Sequence, residues 1–249
     1  MQVDRQLLQP GRKAGRLTTT WLVACASVLA LCPAFVNGRT ESPTANRFLA
    51  QPDEPLTRYR ALRRMHASSE RFDQEAWVEA WTELDEHGFR YEIVSERGSD
   101  YARNKVLKPL LNREQELVAA GHAERSTLSP DNYEFADGKV TPEGLRYVLL
   151  KPKRKDVLLV DGRMLLSPDA TDLLRVEGRL SKNPSFWTSS VNIVREYERL
   201  DGVRVPVSTE SVAKIKFAGI SRLDVQYDYE SINGRPISLA ARRLQAGWR

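Results

Sequence analysis

Cysteine is nearly absent from this chain, and its placement limits what it can do. The 249 residues hold two, Cys25 and Cys32. Both lie in "WLVACASVLALCPAFVNG", from Trp21 to Gly38. Beyond residue 38 no disulfide can staple the fold and no thiolate zinc site can form. Histidine is scarce too: His66, His87 and His122 stand in separate contexts, without His-Glu-x-x-His or comparable ligand spacing. No Gly-x-Ser-x-Gly elbow and no phosphate-cradling glycine loop occurs. The expectation is a non-enzymatic protein without cofactor or metal, with a hydrolase as the distant alternative. Ser211-Val212-Ala213-Lys214 matches the Ser-x-x-Lys spacing of penicillin-recognising enzymes. That spacing works on a helix, however, and here it lies in strand-like sequence, where the two side chains point to opposite faces. Asp161, Asp169 and Asp172 lack the spacing of a calcium loop.

A long apolar run is also missing. Trp21 to Phe35 is about 15 residues, short of the roughly 20 that a spanning helix needs. Arg5, Arg12, Lys13 and Arg16 precede it, and Pro33, Asn37 and Gly38 end it. A basic start, a short apolar core and a small-residue exit predict a signal peptide over residues 1–38. Val36-Asn37-Gly38 and Cys32-Pro33-Ala34 are the two candidate exits, so the cut falls between Ala34 and Gly38. The chain is then exported, to the periplasm or the outside of a bacterial cell. Leu22-Val23-Ala24-Cys25 looks like a lipobox, but only Trp21 to Ala24 of the apolar run precede Cys25, which argues against lipid anchoring there.

Charge of one sign is not in strong excess. The formal net charge of +5 falls to about +2 once the basic leader is removed. A near-balanced surface gives no electrostatic reason for nucleic-acid binding. The remaining length of about 210 residues suffices for one core. Residues 39–52 are polar and read as a flexible tether, with a single β-rich domain over 53–249.

Within that domain, Asp53 is placed to cap a short helix starting at Glu54-Pro55. "EAWVEAWTELDEHGFRYEIVSERGS" alternates on both sides of Asp85–Gly88 and predicts a hairpin. Ser99 starts a helical segment that Gly121 ends, and Pro109 is expected to break or kink it. Val106, Leu110 and Leu117 form its apolar stripe. From Tyr133 onward, strand follows strand. Asp161-Gly162, Asp201-Gly202 and Asn233-Gly234 are hairpin signals. The fold class is α+β, mainly antiparallel β, in a sheet strongly curved or partly closed.

Alternation also nominates the inward face. Leu174, Val176, Val191, Ile193, Ile215, Phe217, Leu223, Val225 and Tyr227 share the apolar side of their strands, and Trp77 and Trp81 share one side of theirs. These are the candidate cavity lining, with the stripe at 106, 110 and 117 as its lid. The run "KPKRK", with Lys151, Lys153, Arg154 and Lys155, is either a contact for an anionic surface or a solvated tip that discourages edge pairing.

"LLRVEGRLSKNPSFWTSSVNIVREYERLDGVRVPVSTES", followed by "SRLDVQYDYESING", resembles the LolA-like outer-membrane lipoprotein-sorting proteins and the related lipid-binding sensor domains of envelope-stress regulators. The features that carry it are the turn at Asp201-Gly202 leading into Val203-Arg204-Val205-Pro206 and the late strand with Tyr227 and Tyr229. The resemblance spans about residues 133–235. It implies an incompletely closed β-barrel, with helices over an apolar cavity that takes acyl chains, and a lipid or lipid-modified protein as partner. Here the helical segment 99–120 follows a single hairpin and reads as an insertion. The family's helix-to-strand latch arginine has no assigned position. A packed scaffold or stress-sensor domain of the same fold is the alternative.

Overall fold

A computed structural model describes residues 42–217 and 219–238; the expected signal peptide, with Cys25 and Cys32, lies outside the described residues. Among those described, antiparallel strands dominate. The chain runs α1 (Pro43–Leu49), β1 (Tyr59–Ser69), β2 (Gln74–Asp85) and β3 (Gly88–Gly98). A helical segment follows: α2 (Asp100–Ala102), a π-helical turn (Arg103–Leu107) and α3 (Lys108–Ala119). Then come β4 (Tyr133–Val140), β5 (Arg146–Pro152), β6 (Val160–Leu166), β7 (Leu173–Leu180), β8 (Thr188–Leu200), β9 (Val203–Ile215), β10 (Gly219–Ile232) and the short β11 (Arg235–Pro236). They form one sheet in the order β3-β2-β1-β10-β9-β8-β7-β6-β5-β4, with β11 beside β10. The order ends at β3 and β4, so the sheet is not closed.

One buried cluster draws residues from β1 to β10, from Ala45 and Phe48 of α1, and from Leu107, Leu110 and Leu111 of the second helical segment. Burial follows period two most cleanly on β1, β2 and β10, as expected where one side of a sheet faces a core, whereas β6 buries Met164, Leu165 and Leu166 in succession. On β10, Leu223, Val225, Tyr227, Tyr229 and Ile232 are buried, while Gln226 and Glu230 between them are exposed.

Two hairpin signals form as expected. Asp201 and Gly202 both take positive φ (48° and 91°), which makes the two-residue turn between β8 and β9. Asn233 and Gly234 (49° and 75°) do the same between β10 and β11. Asp161-Gly162 does not turn: both residues lie inside β6. Gly162 faces Gly178 of β7. A Cβ on Gly162 would sit 2.1 Å from the Glu177 carbonyl oxygen and 2.6 Å from the Gly178 Cα. The glycine there serves close backbone approach, which the dipeptide signal does not distinguish from a turn.

Two expectations near the start are corrected. The stretch 39–52 contains α1, capped by the Ser42 hydroxyl, which accepts from the Ala45 N–H at 2.9 Å, and anchored by buried Phe48. The helix expected at Glu54-Pro55 is absent; that stretch leads into β1. There Tyr59, Ala61, Arg63, Met65 and Ala67 are buried. Arg63 pointing inward and Leu62 pointing outward hid the strand period.

The helical segment begins at Ser99, whose hydroxyl accepts from the Ala102 N–H (3.3 Å). Gly121, at φ 67°, follows its end. Pro109 does not break it. The Lys108 N–H bonds back to the Arg103 carbonyl through the wider π turn, so Pro109 falls in the first turn of α3, where its missing N–H costs nothing.

Candidate functional site

The feature that stands apart from ordinary packing is where α3 meets the sheet. From the π turn onward, five positions of this segment are buried: Leu107, Leu110, Leu111, Glu114 and Leu117. Their spacing of three and four makes a full apolar stripe interrupted by one carboxylate. The Glu114 side chain is 1% exposed and meets the equally buried Arg63 of β1 (2%). Arg63 donates from Nη1 to Glu114 Oε2 at 2.5 Å and from Nη2 to Oε1 at 3.2 Å, a two-pronged contact. Nη2 also donates to the Tyr59 hydroxyl at 3.2 Å. The guanidinium carbon lies 4.8 Å from the Tyr227 ring centroid and 5.4 Å from that of Phe89. Arg63 Nε is buried with no hydrogen-bond partner among the described residues.

The electrostatics follow from this enclosure. Burial works against the Arg63 charge, but the Glu114 carboxylate and the Tyr227 and Tyr59 phenols together outweigh that and hold the guanidinium above its ordinary range. Burial pushes the Tyr59 and Tyr229 phenols well above theirs. They act as neutral hydrogen-bonding groups, and the Tyr229 hydroxyl donates to the Pro206 carbonyl at 2.9 Å. At the start of the segment, Glu96 of β3 pairs with Arg103 (2.9 Å) and Lys108 (2.8 Å). A strand-to-helix bridge made by an arginine had no position assigned from the sequence. Arg63 makes one, and the signal that could have found it was a charged residue at an inward position of β1 and another within the helix stripe.

Of the candidate lining, Val176, Val191, Ile193, Ile215, Leu223, Val225 and Tyr227 lie together on the buried face. Four residues do not. Trp77 and Trp81 are on the outer face of β2, whose inward side is Ala76, Val78, Ala80, Thr82 and Leu84. Outside, Trp77 stacks on His66 (4.7 Å) beneath Arg97, and Arg60 lies over Trp81. These cations cover the faces of the outward tryptophan rings. Leu174 is displaced by an irregularity in the β6–β7 pairing: Arg175 faces Leu165 and Leu173 faces Leu166, so Leu173 takes the buried place. Phe217 stands beyond the end of β9, exposed, with a positive φ of 63°. Of the expected lid, Leu110 and Leu117 are buried and Val106 is partly so.

The basic run divides in two. Lys151 pairs with Asp161 (2.7 Å), and Arg154 donates to the Asn132 side chain (2.6 Å) and the Arg125 carbonyl (3.0 Å). Lys153 and Lys155 are exposed. Beside them, buried Asp156 accepts from Arg125 (2.6 Å) and from the Leu158 N–H (3.1 Å). Burial disfavours its charge, but these donors win and hold its carboxyl below the usual range. Ser211 points inward from β9 and Lys214 outward. Among the described residues no three metal-ligating side chains converge, and no helix is long and apolar enough to cross a membrane. No protein-family model and no curated protein matches the chain.

Proposed function

We propose that this is an exported binding protein that takes an acyl chain, lipid or lipid-modified partner between α3 and the apolar face of the sheet. The observation that carries the reading is the fastening of α3. The helical segment lies over the apolar side of β1–β3, and its α3 is fixed to β1 by a buried ion pair rather than by apolar packing alone. Such a pair adds little net stability over apolar residues of the same shape, but it fixes one arrangement of helix on sheet. The unpartnered Arg63 Nε is a donor that a ligand's ester or amide carbonyl would satisfy. Beneath it, Tyr227, Val225 and Leu223 continue an apolar floor. In this reading the open sheet is a curved, incompletely closed barrel and the helices cover its concave face. The family resemblance and the leader-like start of the chain support the same reading. A 16-carbon chain buried at about 0.8 kcal/mol per methylene contributes roughly 12 kcal/mol before ordering costs, so apolar contact alone suffices for tight binding.

A second reading, a packed envelope scaffold or sensor domain, rests on one observation. Val191, Val225 and Tyr227 are almost wholly withdrawn from water by their neighbours, as in a filled core. The test is organic extraction and mass spectrometry of protein purified from cell envelopes, together with titration by a fluorescent fatty acid. Binding proteins are expected to carry lipid and to take up the probe, with uptake changed in Glu114→Ala. Absence of lipid, with no probe uptake by either form, establishes the scaffold.

A further inference from the structure

Four strand connections lie side by side at one end of the sheet, because neighbouring antiparallel strands return alternately to the same end. They join β5 to β6, β7 to β8, β9 to β10 and β1 to β2. They are also bonded to one another. The Ser181 N–H donates to the Leu159 carbonyl (2.8 Å), the Lys216 N–H to the Trp187 carbonyl (2.8 Å), and the Glu70 N–H to the Ile220 carbonyl (3.1 Å). Arg71 donates to the Phe217 carbonyl. The result is one continuous rim.

This rim carries four of the eight large apolar side chains that the described residues leave in water, among them every exposed phenylalanine and tryptophan: Phe72 (53% exposed), Phe186 (77%), Trp187 (43%) and Phe217 (79%). Trp187 meets Phe186 and Phe217 edge-on at 5.4 and 6.3 Å, so three of the four form one cluster. Phe217 holds its ring at a positive φ, a conformation that disfavours bulky residues, and packs no core there. The cations share the rim. Lys182, Lys214 and Lys216 lie in 181–187 and 214–217, which contain no acidic residue. The Lys216 ammonium is 4.2 Å from the Phe186 ring centroid, and Lys153 and Lys155 stand at the neighbouring connection. Of the acids in the β1–β2 turn, Glu70 is paired with Arg222 (3.0 Å), leaving Asp73.

We infer that this rim docks on an anionic phospholipid surface, with Phe186, Trp187 and Phe217 entering the headgroup boundary and the lysines meeting phosphate. Aromatic tips beside lysines suit that boundary, where an apolar ring and a cation are both satisfied within one turn. A protein partner fits less well, since lysine is depleted from the centres of protein interfaces, whereas each cation near an anionic membrane adds attraction. The inference needs no ligand under α3, so it stands or falls apart from the acyl-binding reading.

The test is sedimentation of the full chain with vesicles of phosphatidylcholine alone or mixed with phosphatidylglycerol. Three forms are compared: wild type, F186S/F217S and K182Q/K216Q. Wild type is expected to bind the mixed vesicles more tightly than the neutral ones, with binding that weakens as salt rises. Each double variant should bind about tenfold or more weakly, with unchanged thermal unfolding. Phe217→Asn, which suits the left-handed backbone, serves if the serine variant unfolds early. Equal binding by all forms would place the contact elsewhere, including the apolar stretch Trp21–Phe35, and overturn the inference. So would failure of wild type to prefer the anionic vesicles, or a protein partner held by the rim in place of lipid.

Discussion

At the scale of single residues, Arg63 and Glu114 carry the most consequence. Each charge is tolerable only because the other is there. Glu114→Ala leaves a guanidinium in an apolar place and is expected to cost roughly 3–5 kcal/mol in denaturant unfolding. Arg63→Leu with Glu114→Leu removes both charges, and its stability should return to within about 2 kcal/mol of wild type or exceed it. A double variant as unstable as the single one would show that the pair is required for packing itself. Asp156 gives a second prediction. Its folded-state pKa lies below the unfolded value of about 3.9, so its contribution is present above that pH and disappears as pH falls through the folded value. Asp156→Asn should therefore be less stable than wild type at pH 7, with the gap closing at pH 3 and below. A gap that is constant with pH would mean the loop is held by its neutral hydrogen bonds. Both sites were hidden in the sequence for the same reason. A charged residue is normally read as surface, and only its partner, 51 positions away for Arg63, makes burial affordable.

At the scale of elements, alternation on the later strands was legible because β8, β9 and β10 are long and each buries one face. The face of β2 was not. Its inward residues are small, Ala76 and Ala80 beside Val78, while its outward ones are tryptophans. Size pointed one way and the registry with β1 the other: Trp81 pairs with outward Leu62, and Trp77 with His66. The small inward residues leave room for the second helical segment, whose contacts with β1, β2 and β3 fill that space. This segment is expected to be the least stable covering element. It contains a π turn, and its helix is too short to persist in water without tertiary contacts. Amide exchange in 103–119 should be faster than in β10, and a bound fatty acid should slow it, because a ligand stabilises the state it binds. Exchange equal to that of β10 and indifferent to the ligand would make α3 plain core.

At the scale of the whole molecule, β10 joins two parts of the sheet that are separate in the chain. On one side it pairs with β9, continuing a meander from β4 in which every neighbour in space is a neighbour in sequence. On the other it pairs with β1, bringing Tyr59 opposite Ile232. Asn233 fastens this closure: its side-chain oxygen accepts from the Thr57 N–H (3.0 Å), and its amide donates to the Pro55 carbonyl (2.9 Å). Local pairings form ahead of those that must close a long loop, since the loop's entropy is lost before its contacts are gained. The β6–β9 amides should therefore become protected early in refolding, and the set of β1 amides that bond to β10 late. Pulse-labelled hydrogen exchange measures this directly. Asn233→Ala should slow the late step or speed unfolding while leaving the early protection unchanged. If β1 and β8 gain protection together, the sheet forms in a single step, and β10 is not the seam between two folding units.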